Sequence, residues 1–300
     1  MTVAKKKYFP IKTETSCRLK WSWSTLYLNS GLTGSCHKAS FSNLDANNFS
    51  NFHNTPEKIR DRKVMLDGHW PGHGCESCRD VELVGGYSER NFQLTVPDVY
   101  PQELDEDLTQ AHVDPVVLEV FFNNTCNLAC IYCKPFLSSK IESEDKKFGT
   151  SLAHWANDNE YNTNQYKNLE PLFWEWIETG YKKLQRIQVL GGEPFYQDSF
   201  FKLLDFFETH PNPNLEFNIV SNLMVKESLL TSTIDRVKKL VATNKIKRFE
   251  ILASIDCWGP AAEYIRSGLD CNKFDKNIKY ILEQKFITTG ISATISNLSI

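Results

Sequence analysis

From residue 116 onwards the sequence alternates short apolar runs with amphipathic stretches, and this alternation limits the possible folds more than any other feature. Five runs are rich in residues typical of β-strands, in the order VVLEVFF, RIQVLG, LEFNIVSN, RFEILASID and GISATIS. Amphipathic stretches of helical length separate them. Apolar strands separated by helices predict parallel βαβ units whose strands are buried on both faces. The sequence therefore predicts an α/β fold with ligands at the carboxyl ends of the strands.

The domain organisation follows from a change of texture along the chain. The residues before position 88 form short strand-like pieces with many Ser, Asn, Gly and His. We expect residues 1–87 to form a small cysteine-rich α+β domain that is held together by something other than a large core. Residues 88–114 carry prolines and an acidic patch, which is typical of a linker. Residues 115–300 are then the α/β domain, either a doubly wound sheet or a partial or full barrel.

Composition and charge exclude several classes of protein. Hydrophobic residues are 41% of the chain and aromatic residues 12%, which is enough for a buried core. The 34 Lys and Arg nearly balance the 37 Asp and Glu, so nothing favours a nucleic-acid partner. The sequence has no long apolar run and no secretion signal, so we expect a cytoplasmic protein that does not bind membranes. In such a compartment its nine cysteines are expected to be metal ligands or catalytic groups rather than disulfides.

Three cysteines lie close together directly after the first predicted strand. The stretch FNNTCNLACIYCKP holds Cys126, Cys130 and Cys133 in a CxxxCxxC spacing. A structural zinc site needs four ligands, whereas three thiolates can hold three irons of a four-iron cluster and leave the fourth iron open. The alternatives are a zinc knuckle that lacks one ligand, or cysteines that are packed as small apolar side chains.

Polar residues and glycines follow the other predicted strands. The second strand is followed by GGEP, residues 191–194, and the third by Ser221 and Asn222. Ser254 and Asp256 end the fourth strand. The carboxyl ends of parallel strands meet at one rim, so we expect these residues near the three cysteines. A Ser, Asp or Asn in such a place is otherwise a capping or turn residue.

With Tyr132 before the last cysteine and GGEP after the next strand, residues 115–300 resemble the radical S-adenosylmethionine enzymes. The resemblance implies a [4Fe-4S] cluster on the three cysteines, with the amino and carboxylate groups of S-adenosylmethionine on the open iron. It also implies contacts with that cofactor for ten residues: Tyr132, Gly191, Gly192, Glu193, Pro194, Asn222, Ser254, Asp256, Arg266 and Asn297.

The resemblance also implies the reaction and the partners. A reduced cluster passes an electron to the sulfonium, and the 5′-deoxyadenosyl radical that results removes a hydrogen atom from a substrate, a small molecule or a peptide. The electron comes from a one-electron reductant such as a flavodoxin or a ferredoxin. This chemistry needs no side-chain base in its first step, so no catalytic residue is assigned. The alternative is a non-catalytic iron–sulfur or zinc protein for electron transfer or binding.

The barrel of this family usually has six strands, and the sequence contains five. The resemblance therefore implies a partial (β/α)6 barrel of the TIM type. We expect the chain to be part of a longer polypeptide, because an uncovered apolar edge strand invites aggregation. The alternative is an unusually open barrel.

A second set of four cysteines lies in the first 87 residues. Cys17 and Cys36 flank Gly31, which predicts a hairpin that brings two thiols together, and Cys75 and Cys78 form a CxxC pair. The set resembles the SPASM and twitch domains that carry auxiliary clusters, although in those proteins the domain usually follows the barrel. The resemblance implies a second [4Fe-4S] cluster, and a zinc ribbon with four cysteine ligands is the alternative.

Overall fold

The structure is a computed structural model that describes residues 13–72, 74–95, 112–148 and 165–299. In these ranges the strands are β1 (Trp23–Tyr27), β2 (Leu32–Gly34), β3 (Ser42–Asn43), β4 (Val117–Phe121), β5 (Ala129–Cys130), β6 (Arg186–Leu190), β7 (Asn212–Ser221), β8 (Ile246–Ser254), β9 (Arg266–Ser267) and β10 (Ile287–Ser292). The α-helices are α1 (Arg18–Ser22), α2 (Pro56–Leu66), α3 (Glu76–Leu83), α4 (Glu89–Thr95), α5 (Ser139–Phe148), α6 (Tyr166–Gly180), α7 (Asp198–Thr209), α8 (Glu227–Ala242), α9 (Pro260–Ile265) and α10 (Cys271–Leu282). Short 3₁₀ helices cover Ala46–Asn54, Tyr181–Lys183 and Pro194–Tyr196.

Within the described ranges, eight strands form one mostly parallel sheet in the order β10-β8-β7-β6-β4-β1-β2-β3. The five strands that the sequence predicts are β4, β6, β7, β8 and β10, and helices α6, α7, α8 and α10 lie between them in the chain. The last strand begins three residues earlier than the predicted run at Gly290, because the pairing with β8 starts at Ile287. The predicted α/β class is confirmed.

The sheet of the described residues is not closed, so the structure contains no complete barrel. Strand β10 lies at one edge and β3 at the other. Strand β1, which the sequence assigned to a separate small domain, lies beside β4 and continues the sheet. Main-chain bonding there begins where the Val116 N–H donates to the Ser22 carbonyl at 2.8 Å.

The chain divides into two compact units, the first of residues 1–26, 32–119 and 171–186 and the second of residues 27–31, 120–170 and 187–300. Of the predicted linker 88–114, residues 89–95 form α4 and residues 96–111 lie outside the described part of the chain. In the first unit, Trp21 and Trp23 pack with Cys17, Met65 and Leu94 in the core.

In the second unit the strands carry an apolar layer that is fully buried. Phe217 of β7 lies opposite Phe249 of β8, and their rings meet edge-on at 5.5 Å between centroids. Phe200 and Phe207 of α7 pack against Phe217 at 5.9 and 5.8 Å. Burying each such side chain contributes about 1.5–3 kcal/mol to the free energy of folding. The close packing of this layer makes the adjoining strand ends rigid.

Candidate functional site

The three clustered cysteines lie on the loop that follows β4, and Ser139, the first residue of α5, forms hydrogen bonds with this loop. The Cys126 N–H donates to the Ser139 Oγ at 3.0 Å, and the Ser139 N–H donates to the Asn124 carbonyl at 2.6 Å. The Cys133 N–H donates to the Cys130 carbonyl at 2.9 Å, which closes a tight turn between the last two cysteines. Backbone bonds of the loop therefore set the spacing of the thiols.

All three cysteines of this loop are free thiols; Cys130 is buried, and Cys126 and Cys133 are half-buried. Burial raises the pKa of the Cys130 thiol to about 12 and that of the Cys133 thiol to about 11, and it also raises the pKa of Cys126. The charge of each neighbouring thiolate acts in the same direction at Cys130 and Cys133. The thiols are thus protonated in the metal-free chain, and a metal that binds them must displace their protons.

The GGEP segment crosses the cysteine loop, and backbone hydrogen bonds connect the two segments. The Gly192 N–H donates to the Leu137 carbonyl at 2.9 Å, and the Glu193 N–H donates to the Thr125 carbonyl at 2.8 Å. Gly192 has a φ of 56°, and a Cβ on it would lie 2.2 Å from the Thr125 carbonyl oxygen. Gly191 has a φ of 76° and lies against the ring of Phe121 in the same way. Glycine is needed here because two loops of the protein meet.

The Glu193 side chain points into the protein and joins the ends of β6 and β7. Its carboxylate accepts hydrogen bonds from the Ser221 Oγ at 2.8 Å, the Asn222 N–H at 2.7 Å and the Phe195 N–H at 3.3 Å. The side chain is fully buried, and this burial raises its pKa to about 7 although the three hydrogen bonds act to lower it. The carboxylate therefore has a structural role within the protein.

Asn222 brings an amide to the first cysteine. Its Nδ2 lies 4.0 Å from the Cys126 Sγ and donates to the Asn127 Oδ1 at 3.0 Å. Its Oδ1 accepts from the Met224 N–H at 2.8 Å, which fixes the orientation of the amide. The predicted proximity of Asn222 to the cysteine loop is thus found in the structure.

Tyr132, Asp256 and Arg266 form one hydrogen-bonded group beside the last two cysteines. The Tyr132 hydroxyl donates to the Asp256 Oδ2 at 2.8 Å, and the Arg266 Nε and Nη2 donate to the two oxygens of Asp256 at 2.9 and 2.8 Å. The Asp256 side chain is 1% exposed and that of Arg266 is 8% exposed. Burial acts to raise the pKa of Asp256, but the hydrogen bonds from Arg266, the Thr294 N–H and Tyr132 lower it below its usual range.

The remaining predicted residues lie at the same strand ends in different surroundings. Pro194 is buried and begins the 3₁₀ turn after GGEP, and Ser254 ends β8 opposite Ser292 of β10. Asn297 lies in an exposed turn after β10. In the described part of the chain, the side chains of Ser254 and Asn297 make no hydrogen bond with the cysteine loop.

The second cysteine set, Cys17, Cys36, Cys75 and Cys78, lies entirely in the first unit. Gly31, with a φ of 71°, turns the chain between β1 and β2, so the predicted hairpin is confirmed. Burial raises the pKa of Cys17 to about 12, and the neighbouring Cys36 and Cys75 act in the same direction. Burial raises the pKa of Cys75 to about 11, with contributions from Cys36 and Cys78. The effects of the neighbouring thiols on the pKa values of Cys17 and Cys75 indicate that the structure brings the four cysteines near one another.

A glycine that the sequence did not single out holds this second set together. Gly74 has a φ of 99°, and a Cβ on it would lie 1.8 Å from the Lys38 carbonyl oxygen. The backbone of the turn before Cys75 therefore lies in close contact with the backbone of the segment after Cys36. In that segment the Lys38 N–H donates to the Cys36 Sγ at 3.3 Å. The signal in the sequence was a glycine directly before the CxxC pair, and its partner could not be identified without the fold.

A buried ion pair beside these thiols was also missed. Lys20 is 3% exposed, and its Nζ lies 2.6 Å from the Asp61 Oδ2. Its charge lowers the pKa of both Cys17 and Cys75 against the larger effect of burial. Position 20 follows Cys17 by three residues, but Asp61 comes from α2, and this pairing is a tertiary contact.

The donor chemistry of both sets fits a thiolate-bound metal. Three thiols on one loop suit a four-iron cluster with an open iron, and four thiols suit a closed cluster or zinc. Within the described residues, no group of three or more His, Cys, Asp or Glu side chains is arranged to hold a metal ion directly. Thiol side chains can rotate about a single bond, so binding would require that the ligands turn toward a common centre.

Comparisons with known proteins add no identification. A scan against protein-family models and a search of curated proteins both find no match for this chain. In the described ranges, none of the helices has the length and apolar character that a membrane crossing requires.

Proposed function

We propose that the chain is a radical S-adenosylmethionine enzyme with a [4Fe-4S] cluster on Cys126, Cys130 and Cys133. The observation that carries the proposal is the crossing of the CxxxCxxC loop and the GGEP segment, where Gly192 approaches the Thr125 carbonyl too closely for any side chain. The CxxxCxxC spacing supplies three thiols next to a glycine-bearing strand end, and three thiolates are what a cluster with an open iron requires. A pure electron carrier would be expected to supply a fourth ligand.

The residues of the chain would then have separate roles. The three thiolates would hold the cluster, and the Asn222 Nδ2, which lies 4.0 Å from the Cys126 Sγ, would donate a hydrogen bond to this ligand and so tune the cluster. Glu193 holds the ends of β6 and β7 together through hydrogen bonds from Ser221 and Asn222. When it is bound and reduced, the cluster supplies the electron that cleaves S-adenosylmethionine, and hydrogen-atom abstraction from a small molecule or peptide follows. A flavodoxin or a ferredoxin would supply the electron.

Two finer features belong to the same proposal. Strands β4, β6, β7, β8 and β10 are neighbours in chain order, which favours a partial (β/α)6 barrel. The four thiols of the second set favour an auxiliary [4Fe-4S] cluster, with a zinc site of four cysteine ligands as the alternative. The second set would accept an electron, contact the substrate, or stabilise the first unit.

The test is reductive cleavage of S-adenosylmethionine by the reconstituted chain. We expect anaerobic reconstitution with iron and sulfide, followed by dithionite and S-adenosylmethionine, to produce 5′-deoxyadenosine, measured by liquid chromatography and mass spectrometry. Replacement of Cys126, Cys130 and Cys133 by alanine should abolish the product, because no ligand set for the open-iron cluster is left.

Cys257→Ala is the matched control, since this half-buried cysteine lies at the same strand ends but outside the CxxxCxxC spacing. It should retain wild-type product formation. Iron uptake by the wild-type chain without any 5′-deoxyadenosine, and with a spectrum that added S-adenosylmethionine does not change, would eliminate the enzyme and leave a non-catalytic iron–sulfur protein.

A further inference from the structure

The turn between Cys130 and Cys133 is attached to the rest of the second unit at two places. On one side, β5 pairs with β9 in an antiparallel register that sets Cys130 opposite Arg266. The Ile131 N–H also donates to the Ile265 carbonyl at 2.9 Å. On the other side, the Tyr132 hydroxyl donates to Asp256, which follows β8. A short turn with attachments on both sides has little freedom to move.

Asp256 accepts four hydrogen bonds from three parts of the chain. Its Oδ2 accepts from Tyr132 and from the Arg266 Nε, and its Oδ1 accepts from the Arg266 Nη2 and from the Thr294 N–H at 2.8 Å. The Arg266 guanidinium also lies over the Tyr132 ring, 5.6 Å from its centroid. The three side chains therefore form a closed unit in which the charges of Asp256 and Arg266 offset each other.

This geometry differs from the role that the family resemblance implies. A residue that binds the cofactor directly should direct its polar atoms toward open space. Here the Tyr132 hydroxyl and two guanidinium nitrogens of Arg266 donate hydrogen bonds to the Asp256 carboxylate, which is almost fully buried. The unit sits beside the thiols, since the Arg266 charge lowers the pKa of Cys130 and Cys133 against the effect of burial.

We infer that Tyr132, Asp256 and Arg266 are positioning residues, which clamp the Cys130–Cys133 turn to the ends of β8 and β10 before any cofactor binds. The clamp itself is a property of the metal-free chain. Its consequence, that the last two cysteine ligands are preorganised for a cluster, rests on the proposed function.

Hydrogen exchange on the metal-free chain tests the clamp directly. The Ile131 and Cys133 amides both donate backbone hydrogen bonds, so their exchange reports the opening of the turn. Tyr132→Phe removes one hydroxyl that bonds to a charged carboxylate, and we expect both amides to exchange about tenfold faster or more. Asp256→Asn should have an effect in the same direction, because it weakens every bond in the unit. Tyr264→Phe is the matched control, since Tyr264 is 71% exposed and lies two residues before Arg266.

Iron retention in the reconstituted protein gives the second readout. Without S-adenosylmethionine, the Tyr132→Phe protein should lose iron to a chelator several times faster than wild type and the Tyr264→Phe protein. Wild-type exchange rates at Ile131 and Cys133 in the Tyr132→Phe chain would overturn the clamp, above all if that variant kept its iron and only bound S-adenosylmethionine more weakly. A wild-type chain that takes up no iron would contradict the proposed function, while the exchange rates would still decide whether the clamp exists.

Discussion

Single buried carboxylates hold the ends of the strands in this chain. Glu193 illustrates the balance of forces, because complete burial raises the pKa of its carboxyl from 4.5 to about 7 while three hydrogen-bond donors act to lower it. The donors come from β7, from the residue after it and from the turn after GGEP. The Glu193 side chain therefore connects the GGEP segment after β6 to the end of β7.

The raised pKa of Glu193 predicts a pH dependence of stability. A folded-state pKa above the unfolded-state value means that the stabilisation from this group is complete below about pH 4.5 and is lost as the pH rises through about 7. Glu193→Gln cannot titrate. Between pH 4.5 and pH 8 we expect the free energy of unfolding of the wild-type chain to fall by on the order of 3 kcal/mol more than that of the variant.

Urea unfolding of the metal-free chains at several pH values measures this difference. The control is Glu283→Gln, because Glu283 is exposed and directly follows α10. The free energy of unfolding of this variant should change with pH as that of the wild-type chain does. Parallel curves for the wild-type and Glu193→Gln chains would show that Glu193 is ionised in the folded protein across the whole range, contrary to its burial.

At the scale of elements, the loops after the strands depend on glycines that let backbones touch. Gly192 and Gly259 both have positive φ values, of 56° and 77°. They differ in their surroundings, since a Cβ at Gly192 would lie 2.2 Å from the Thr125 carbonyl oxygen and a Cβ at Gly259 would have nothing within 4 Å. The two positions therefore separate the effect of backbone strain from the effect of the loop crossing.

Alanine substitutions at these two glycines should have different costs. Gly259→Ala should destabilise the chain by about 1–3 kcal/mol, because the φ of 77° and ψ of −153° at this position are adopted readily only by glycine. Gly192→Ala adds the displacement of the cysteine loop, and we expect a further loss of about 1–3 kcal/mol together with reduced iron uptake. Urea unfolding and iron determination measure the two effects. Equal losses in both variants would mean that the crossing of the GGEP segment and the cysteine loop is not tight.

At the scale of the whole molecule, the chain carries two thiol sets in two compact units. The set at residues 126–133 lies in the second unit, and Cys17, Cys36, Cys75 and Cys78 lie in the first. Since no cysteine is shared, we expect the two sites to load independently. The protein in which Cys126, Cys130 and Cys133 are all alanine should therefore keep the metal of the first unit.

Metal analysis of this triple variant decides the nature of the second site. Retention of about four irons per chain indicates an auxiliary cluster, and zinc without iron indicates a structural zinc site. Adding Gly74→Ala should remove that metal, because the new Cβ would displace the turn before Cys75 from the Lys38 carbonyl. Gly68→Ala is the matched control, with a φ of 81° and nothing within 4 Å of the added Cβ. Equal metal in both glycine variants would contradict the role of Gly74.

The class of fold and the location of the site could be predicted from local patterns. Strand β4 and the second half of β7 are buried along most of their length, as expected of strands covered on both faces. Strands β6 and β8 instead alternate buried and partly exposed residues, so the expectation of burial on both faces is wrong for them. The helices between the strands have one apolar side. Parallel strands with helical crossovers bring their carboxyl ends to one edge. That reasoning placed Cys126, Glu193 and Asn222 together without coordinates, and the structure agrees.

The features that local sequence patterns encode are therefore periodic or covalent: the alternation of strands and helices, the spacing of the thiols and the turn at Gly31. The addition of β1 to the sheet beside β4, the pressing of Gly74 on Lys38 and the closure of Tyr132 and Arg266 on Asp256 were decided only by the tertiary structure. Strand order and buried polar partners depend on contacts between residues far apart in the chain, and no local pattern encodes which of many similar groups will meet.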